Sequence, residues 1–101
     1  MLFLQISKHN PESCPVHNEK AKKAAIDLMA KMERLQKKHR IKEIGSWHSA
    51  PNHLLVAVFD APSTEAAMGF AAEPEVMAWM SYNDTQIMPV TTAEEAMKYI
   101  Q

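Results

Sequence analysis

The order in which the hydrophobic pattern changes its period constrains the fold of this chain more than any other feature. Residues 2–8, LFLQISK, alternate between the two sides of an extended chain, and this period of two predicts a strand. Beyond Asn18, a suitable helix N-cap, apolar residues recur at spacings of three and four, which predicts one long helix of about 20 residues. Its apolar stripe consists of Ala21, Ala24, Ala25, Leu28, Met32 and Leu35.

The rest of the chain is predicted to continue with two strands, two helices, a further strand and a final helix. The tetrapeptide SAPN is typical of a hairpin between the second and third strands. Pro89 cannot donate a backbone hydrogen bond, so the fourth strand is predicted to lie at an edge of the sheet or to end there. The strands are expected at 41–48, 53–60 and 85–90, and the helices at 63–72, 74–80 and 91–100. The candidate N-caps are Ser63 or Thr64 and Thr91 or Thr92.

Strand, helix, strand, strand, helix, strand is the order of the ferredoxin-like, or split βαβ, fold. We therefore predict a single α+β domain over residues 1–101, built on a four-stranded antiparallel sheet in the order 4-1-3-2. Both main helices are expected on one face of this sheet. The helix at 91–100 is an addition at the C-terminal end of the fold.

The third strand indicates what covers the sheet face that carries no helix. Its segment LLVAVF is apolar at six successive positions, so both of its faces favour burial. We expect Phe3 on the same uncovered face. Soluble monomers rarely expose an apolar patch of that size. The sequence therefore predicts a homodimer, or a higher oligomer, formed through the open sheet face.

Three segments carry a resemblance to known proteins across nearly the whole chain: MLFLQISKHNPESCPVHNEK, GSWHSAPNHLLVAVFDAPSTEAAMGF, and EPEVMAW followed by IMPVTTAEEAM. The sequence resembles the dimeric α/β-barrel superfamily of ferredoxin-like proteins and, within it, a family of proteins of this length and of unknown function. The resemblance implies a dimeric barrel. Members of the superfamily include monooxygenases, isomerases, haem-dependent enzymes and proteins without known activity. The resemblance therefore implies no particular reaction, cofactor or catalytic residue.

Composition argues against several classes of function. A net charge of −1 gives no basic excess for binding nucleic acid, and the apolar runs are too short to cross a membrane. The start, MLFLQISKH, lacks the basic region and cleavage site of a signal peptide. A single cysteine cannot form an internal disulfide, so we expect a cytoplasmic protein. Gly45 and Gly69 are the only glycines, and no phosphate-binding loop indicates a nucleotide cofactor.

The segment HNPESCPVHNEK, residues 9–20, holds two histidines and the only cysteine within nine positions. A thiolate and imidazoles suit zinc, copper, nickel or iron, and three protein ligands leave one coordination position open. His9, Cys14 and His17 are therefore candidate metal ligands. Two alternatives stay open. Cys14 is a reactive thiol activated by the start of the helix, or it packs as a small hydrophobic residue in a structural loop.

The open sheet face is the candidate site for a small molecule, since an apolar surface with few polar groups suits such a ligand. His9 or His53 is the candidate proton carrier of an enzyme. We expect these two histidines at opposite ends of the sheet, too far apart to act together. A small-molecule-binding protein or enzyme is thus the first hypothesis, and a metal-binding or non-catalytic assembly protein is the alternative. The candidate ligand-binding residues are Gln5, Ser7, Trp47 and His48.

Overall fold

The structure is a computed structural model that describes all residues, 1–101. Its elements follow the predicted order, and each boundary except that of the last helix lies within a residue or two of the prediction. The four strands are β1 (Leu2–Lys8), β2 (Lys42–Ser49), β3 (Leu54–Asp60) and β4 (Asp84–Val90). The four helices are α1 (Glu19–His39), α2 (Thr64–Ala71), α3 (Pro74–Met80) and α4 (Ala93–Met97). Short 3₁₀ turns occupy Pro11–Ser13 and Ala50–Asn52.

The strands form one antiparallel sheet in the order β2-β3-β1-β4, which confirms the predicted topology. β1 is central and pairs with both β3 and β4. The proline at position 89 lies in β4, at an edge of the sheet, where a missing backbone donor is tolerated. α1 packs against α2 and α3, and these three helices form one layer on a face of the sheet, where Ala67 of α2 packs against Phe3 and Phe59.

Side-chain caps mark the starts of α1, α2 and α4, whereas α3 begins at Pro74 without one. Asn18 accepts a hydrogen bond from the backbone N–H of Ala21 at 3.0 Å, as its position before the apolar stripe predicted. Ser63 caps α2 in the same way, and Thr92 caps α4. Each cap of this kind contributes about 1 kcal/mol relative to alanine. α4 ends at Met97, three residues earlier than the predicted helix.

The assignment of β1 side chains to the two sheet faces was wrong and has to be inverted. Phe3 is only 2% exposed and packs on Phe59 and on Ala67 of α2, so Phe3, Gln5 and Ser7 lie on the helix-covered face. The residues Leu2, Leu4 and Ile6 lie on the open face instead. Alternation separates β1 into two faces but does not say which one the helices cover, because both the aliphatic face and the face with Phe3 favour burial. The helices cover the face that carries Phe3 and Phe59.

The open face leaves this chain less compact than its size predicts. Its accessible surface is 7042 Å², whereas a compact monomer of 11.4 kDa exposes about 5,800 Å². Only 12 of 101 residues are buried. The shortest dimension is 17 Å, the thickness of one sheet and one helix layer. Half of the usual covering of the sheet is therefore absent in a single chain. None of the helices has the length and hydrophobicity needed to cross a bilayer.

Candidate functional site: a cavity under the helices and a histidine cluster

A cavity of about 340 Å³ lies between the helix-covered sheet face and the helices α1 and α3. The sheet contributes Ala57 and Phe59 to its wall, and the helices contribute Leu28, Met32 and Trp79. Hydrophobic residues make up 13 of its 17 lining positions. The cavity exists because α1 presents alanine and methionine to a sheet surface that carries Ala57 at its centre, so that the two layers do not fill the space between them.

The cavity lining includes a few polar side chains, which suit a ligand that carries polar atoms as well as apolar ones. The four lining residues that are not hydrophobic are Gln5 on β1, Glu43 and Ser46 on β2, and Gln36 on α1. The amide nitrogen of Gln5 donates to Ser7 Oγ at 3.1 Å, and Ser7 Oγ in turn shares a hydrogen bond with Thr85 Oγ1 at 3.1 Å. Ser7 is 1% exposed, so this chain of hydrogen bonds holds Gln5 in a fixed orientation.

Beyond Ser7, the same sheet face ends in a pair of histidines. His9 Nε2 and His53 Nδ1 are 3.1 Å apart, and the ring centroids are separated by 5.0 Å with nearly perpendicular planes. The backbone N–H of His9 also donates to the carbonyl oxygen of His53 at 3.2 Å. The expectation that these residues lie at opposite ends of the sheet was therefore wrong. β1 and β3 are antiparallel neighbours, so the end of β1 lies beside the start of β3.

Cys14 completes a cluster with the two histidines. The potential ligand atoms of His9, Cys14 and His53 all lie within 4.8 Å of one another, and Cys14 is buried. The connection from β1 to α1 folds back over the end of the sheet, because Asn10 caps the first 3₁₀ turn. His17 is exposed and lies outside this cluster. Cys14 therefore lies close to His53 of the hairpin, and not to His17 of its own loop.

The surroundings of His9 favour its neutral form. Burial lowers the pKa of its imidazole below the ordinary value, and the neighbouring His53 and His48 lower it further. A hydrogen bond with Asn83 raises the pKa and partly opposes these effects. A neutral imidazole has a lone pair free to accept a proton or to bind a metal ion.

Comparison with known proteins places the chain in a family. The model of a domain of unknown function, DUF3303, matches residues 1–101. The chain belongs to the DUF3303 family. No curated protein matches its sequence.

Two solved structures resemble this DUF3303 chain in fold. A crystal structure of an antibiotic biosynthesis monooxygenase has a TM-score of 0.60 at 11% identity, covering 92% of this chain and 99% of the other. The crystal structure of protein Atu4242 from Agrobacterium tumefaciens has a TM-score of 0.49 at 15% identity, covering 92% and 96%. The first of these supports the ferredoxin-like fold of this chain.

The four ligand-binding residues predicted for this DUF3303 protein lie in different places. Gln5 lines the cavity, and Ser7 lies behind it in the hydrogen-bond chain. His48 pairs with Leu55 on the helix-covered face but is exposed near the sheet end. Trp47 lies on the open face, 60% exposed and outside the cavity. Sequence analysis missed Trp79 as a lining residue, although the apolar composition of α3 was a signal for its contact with the sheet side.

Proposed function

We propose that this DUF3303 chain binds a small, largely apolar molecule in the cavity between the sheet and the helices. The observation that carries the proposal is the combination of an apolar wall with the polar groups of Gln5, Gln36 and Ser46. Small-molecule sites have volumes of about 300–1,000 Å³ and such a mixture of side chains. An apolar cavity of about 150 Å³ accepts benzene. The 340 Å³ found here is therefore large enough for a ligand of two fused rings with a hydroxyl group.

The fold supports a ligand site but does not specify a reaction. The structural neighbour with the higher TM-score carries the name of a monooxygenase, and its identity to this chain is 11%. Fold likeness at this level carries no catalytic residues from one protein to the other. The proposal is accordingly a binding function. His9 and His53, the predicted candidate proton carriers, lie on the same sheet face beyond Ser7 but outside the cavity lining, so they are not part of the proposed ligand site.

The proposal is tested by titrating the protein with 1-naphthol and recording the indole N–H signals of its two tryptophans by NMR. Trp79 lines the cavity and Trp47 lies on the open face, so we expect saturable movement of the Trp79 signal alone. A Trp47→Phe variant assigns the signals. Movement of the Trp47 signal alone, or of neither signal, contradicts the proposal.

A matched pair of variants on β3 sharpens this test. Ala57→Leu adds a larger side chain to the cavity wall, and we expect 1-naphthol to bind at least about tenfold more weakly, a loss of about 1.4 kcal/mol. Val58→Leu adds one methylene on the opposite face of the same strand and serves as the control. Equal affinity in both variants would place the ligand elsewhere.

We also propose that two copies of the chain pair through the open sheet face. Apolar side chains dominate this surface: Leu2, Leu4, Ile6, Trp47, Leu54, Val56, Val58 and Met88. The Trp47 ring lies over Gly45, where a Cβ atom would approach the ring to 2.7 Å, so the surface stays flat. A second copy would cover the excess accessible surface of the single chain.

We also propose a cytoplasmic location for this chain, because the free thiol of Cys14 fits a reducing compartment.

A further inference from the structure

We propose that His9, Cys14 and His53 form a zinc site with one coordination position left to water. This site is independent of the proposed ligand cavity. It differs from the set predicted from sequence by the exchange of the exposed His17 for His53 of the hairpin. Zinc is bound by thiolates and imidazoles, and catalytic zinc sites use three protein ligands with the fourth position left to water.

The distances in the cluster match one bound ion after small side-chain movements. Zinc–nitrogen bonds of about 2.0–2.1 Å and a zinc–sulfur bond of about 2.3 Å separate the donors of a tetrahedral site by roughly 3.3–3.6 Å. The two histidine nitrogens are already 3.1 Å apart, and no donor pair in the cluster exceeds 4.8 Å. Rotation of the side chains by roughly 1 Å at the donor atoms is sufficient to bring all three to the ion.

The backbone around the three residues is fixed independently of any metal. The N–H of His9 bonds to the carbonyl of His53, which ties the two histidines across the β1–β3 pair. The carbonyl of Cys14 accepts hydrogen bonds from the N–H groups of His17 and Asn18, which ties the thiol to the start of α1. The three donors therefore converge from three separate segments whose positions the fold determines.

The surroundings of His9 supply the outer contact that metal-bound histidines usually have. A ligating imidazole generally donates its second N–H to a carboxylate, carbonyl or water. His9 directs Nε2 toward His53, which leaves Nδ1 as its second ring nitrogen, and Asn83 lines the same groove as His9. The amide nitrogen of Asn83 donates to the carbonyl of Trp79 at 2.8 Å, which leaves its side-chain oxygen available as an acceptor for the second N–H of a zinc-bound His9.

Solvent reaches the cluster through an open groove. His9 lines this groove together with Tyr82 and Asp84, and the groove has a volume of about 470 Å³. It provides an entry path for the ion and room for a water molecule at the fourth position. The buried Cys14 occupies the inner side of the cluster.

The experiment measures zinc and cobalt binding to the full chain, purified without a histidine tag and stripped with a chelator. We expect one zinc per chain, and cobalt should give the thiolate charge-transfer absorption and visible bands of a tetrahedral site. Zinc should displace the cobalt. Binding should release the proton of the thiol, because a ligating cysteine must be deprotonated.

Four variants assign the ligands. Cys14→Ser should abolish the charge-transfer absorption. His53→Asn removes the imidazole but keeps a residue that tolerates the left-handed backbone of this position, φ 50°, so the hairpin is retained. Asn83→Ala should weaken zinc binding by about 10–100-fold, the usual effect of losing an outer contact. His17→Ala, in the same loop but outside the cluster, should bind zinc as the unaltered chain does.

Circular dichroism of each stripped variant separates loss of the site from loss of the fold. Folded Cys14→Ser or His53→Asn protein that binds zinc with unchanged affinity would overturn the proposal, as would a folded parent chain that binds no zinc. A loss of affinity in His17→Ala equal to that in His53→Asn would also overturn it. Because His53 lies outside the cavity lining, binding of 1-naphthol should be unchanged in His53→Asn.

Discussion

The two faces of the sheet have different surroundings, although β1 and β3 place apolar side chains on both of them. Phe3 on the helix-covered face is 2% exposed, whereas its neighbours Leu2 and Leu4 on the open face are only partly buried by their own chain. The helix-covered face is packed against the helices but is incompletely filled, and it contains the cavity. The open face is flat and apolar and has no covering. Apolar residues on both sides of a strand therefore predict that both sheet faces are covered, and a single chain covers only one of them.

The largest loss of stability is expected from truncating a buried side chain on the helix-covered face. Phe59 stacks on Phe3 with ring centroids 5.5 Å apart, and both belong to the core under α2. Phe59→Ala should lower the free energy of unfolding by about 3–5 kcal/mol, because it removes a buried aromatic ring and leaves a void. Val58→Ala, the neighbouring change on the open face, should cost clearly less. Urea unfolding at one protein concentration measures both, and equal losses would contradict the difference between the faces.

A charge on the open face tests the proposed pairing of two chains. Val56 lies at the centre of this face and pairs with Ile6 across the β1–β3 ladder. Val56→Lys would place an unpaired ammonium group inside the interface, so dimerisation should weaken by at least about 2 kcal/mol, or about 30-fold. Sedimentation equilibrium should show a dimer for the parent chain and a monomer at micromolar concentration for the variant. A parent chain that sediments as a monomer contradicts the pairing.

The local sequence was sufficient for the elements, their order and the cap of α1, because each depends on nearby residues; for α2 and α4 it left two candidate caps each, of which Ser63 and Thr92 make the bond. Asn18, for example, lies directly before the α1 stripe and caps that helix. The choice of face was beyond this reasoning, since Phe3 and Leu4 are both apolar and tertiary packing decides between them. The cavity depends on how well α1 fills the space above Ala57, which no periodicity describes.

The histidine pair, in contrast, was within reach of the sequence. In the predicted order 4-1-3-2, the first and third strands are antiparallel neighbours, and the hairpin then lies at the end where the first strand finishes. Lys8 indeed pairs with Leu54, which places His9 beside His53. The error was one of topology. Cys14 joins them through the path of an irregular loop, and loop paths are not encoded in any periodic pattern.

A moderate effect is expected from the hydrogen-bond chain behind the cavity. Ser7→Ala removes the partner of both Gln5 and Thr85 at a position that is 1% exposed. We expect a loss of about 1 kcal/mol in stability, the typical cost of such a hydrogen bond. Gln5 would also become mobile, so 1-naphthol should bind more weakly. An unchanged affinity of Ser7→Ala for 1-naphthol would show that the orientation of Gln5 does not contribute to ligand binding. Thermal unfolding and calorimetric titration give the two values.

The smallest expected change in stability involves Glu73, at the outer edge of the helix layer. Hydrogen bonds from Lys38 and then His39 lower the pKa of the Glu73 carboxyl below its ordinary value of 4.5. A carboxyl whose pKa is depressed by folding stabilises the folded state above its ordinary pKa, and this contribution disappears as the pH falls through the folded value. Glu73→Gln should therefore lower the melting temperature slightly at pH 7, and the difference from the parent should vanish in acid. A difference that persists at low pH contradicts this cause.

The methionine methyl groups test most directly whether the ligand binds at the helix-covered face and not at the open face. Met32 and Met80 line the cavity, and Met88 lies on the open face, opposite Leu4 in the ladder. Their ¹³C-labelled methyl signals report on both faces in one NMR titration with 1-naphthol. We predict that the Met32 and Met80 signals move to saturation while the Met88 signal stays in place. Movement of the Met88 signal with Met32 and Met80 unchanged would contradict the account.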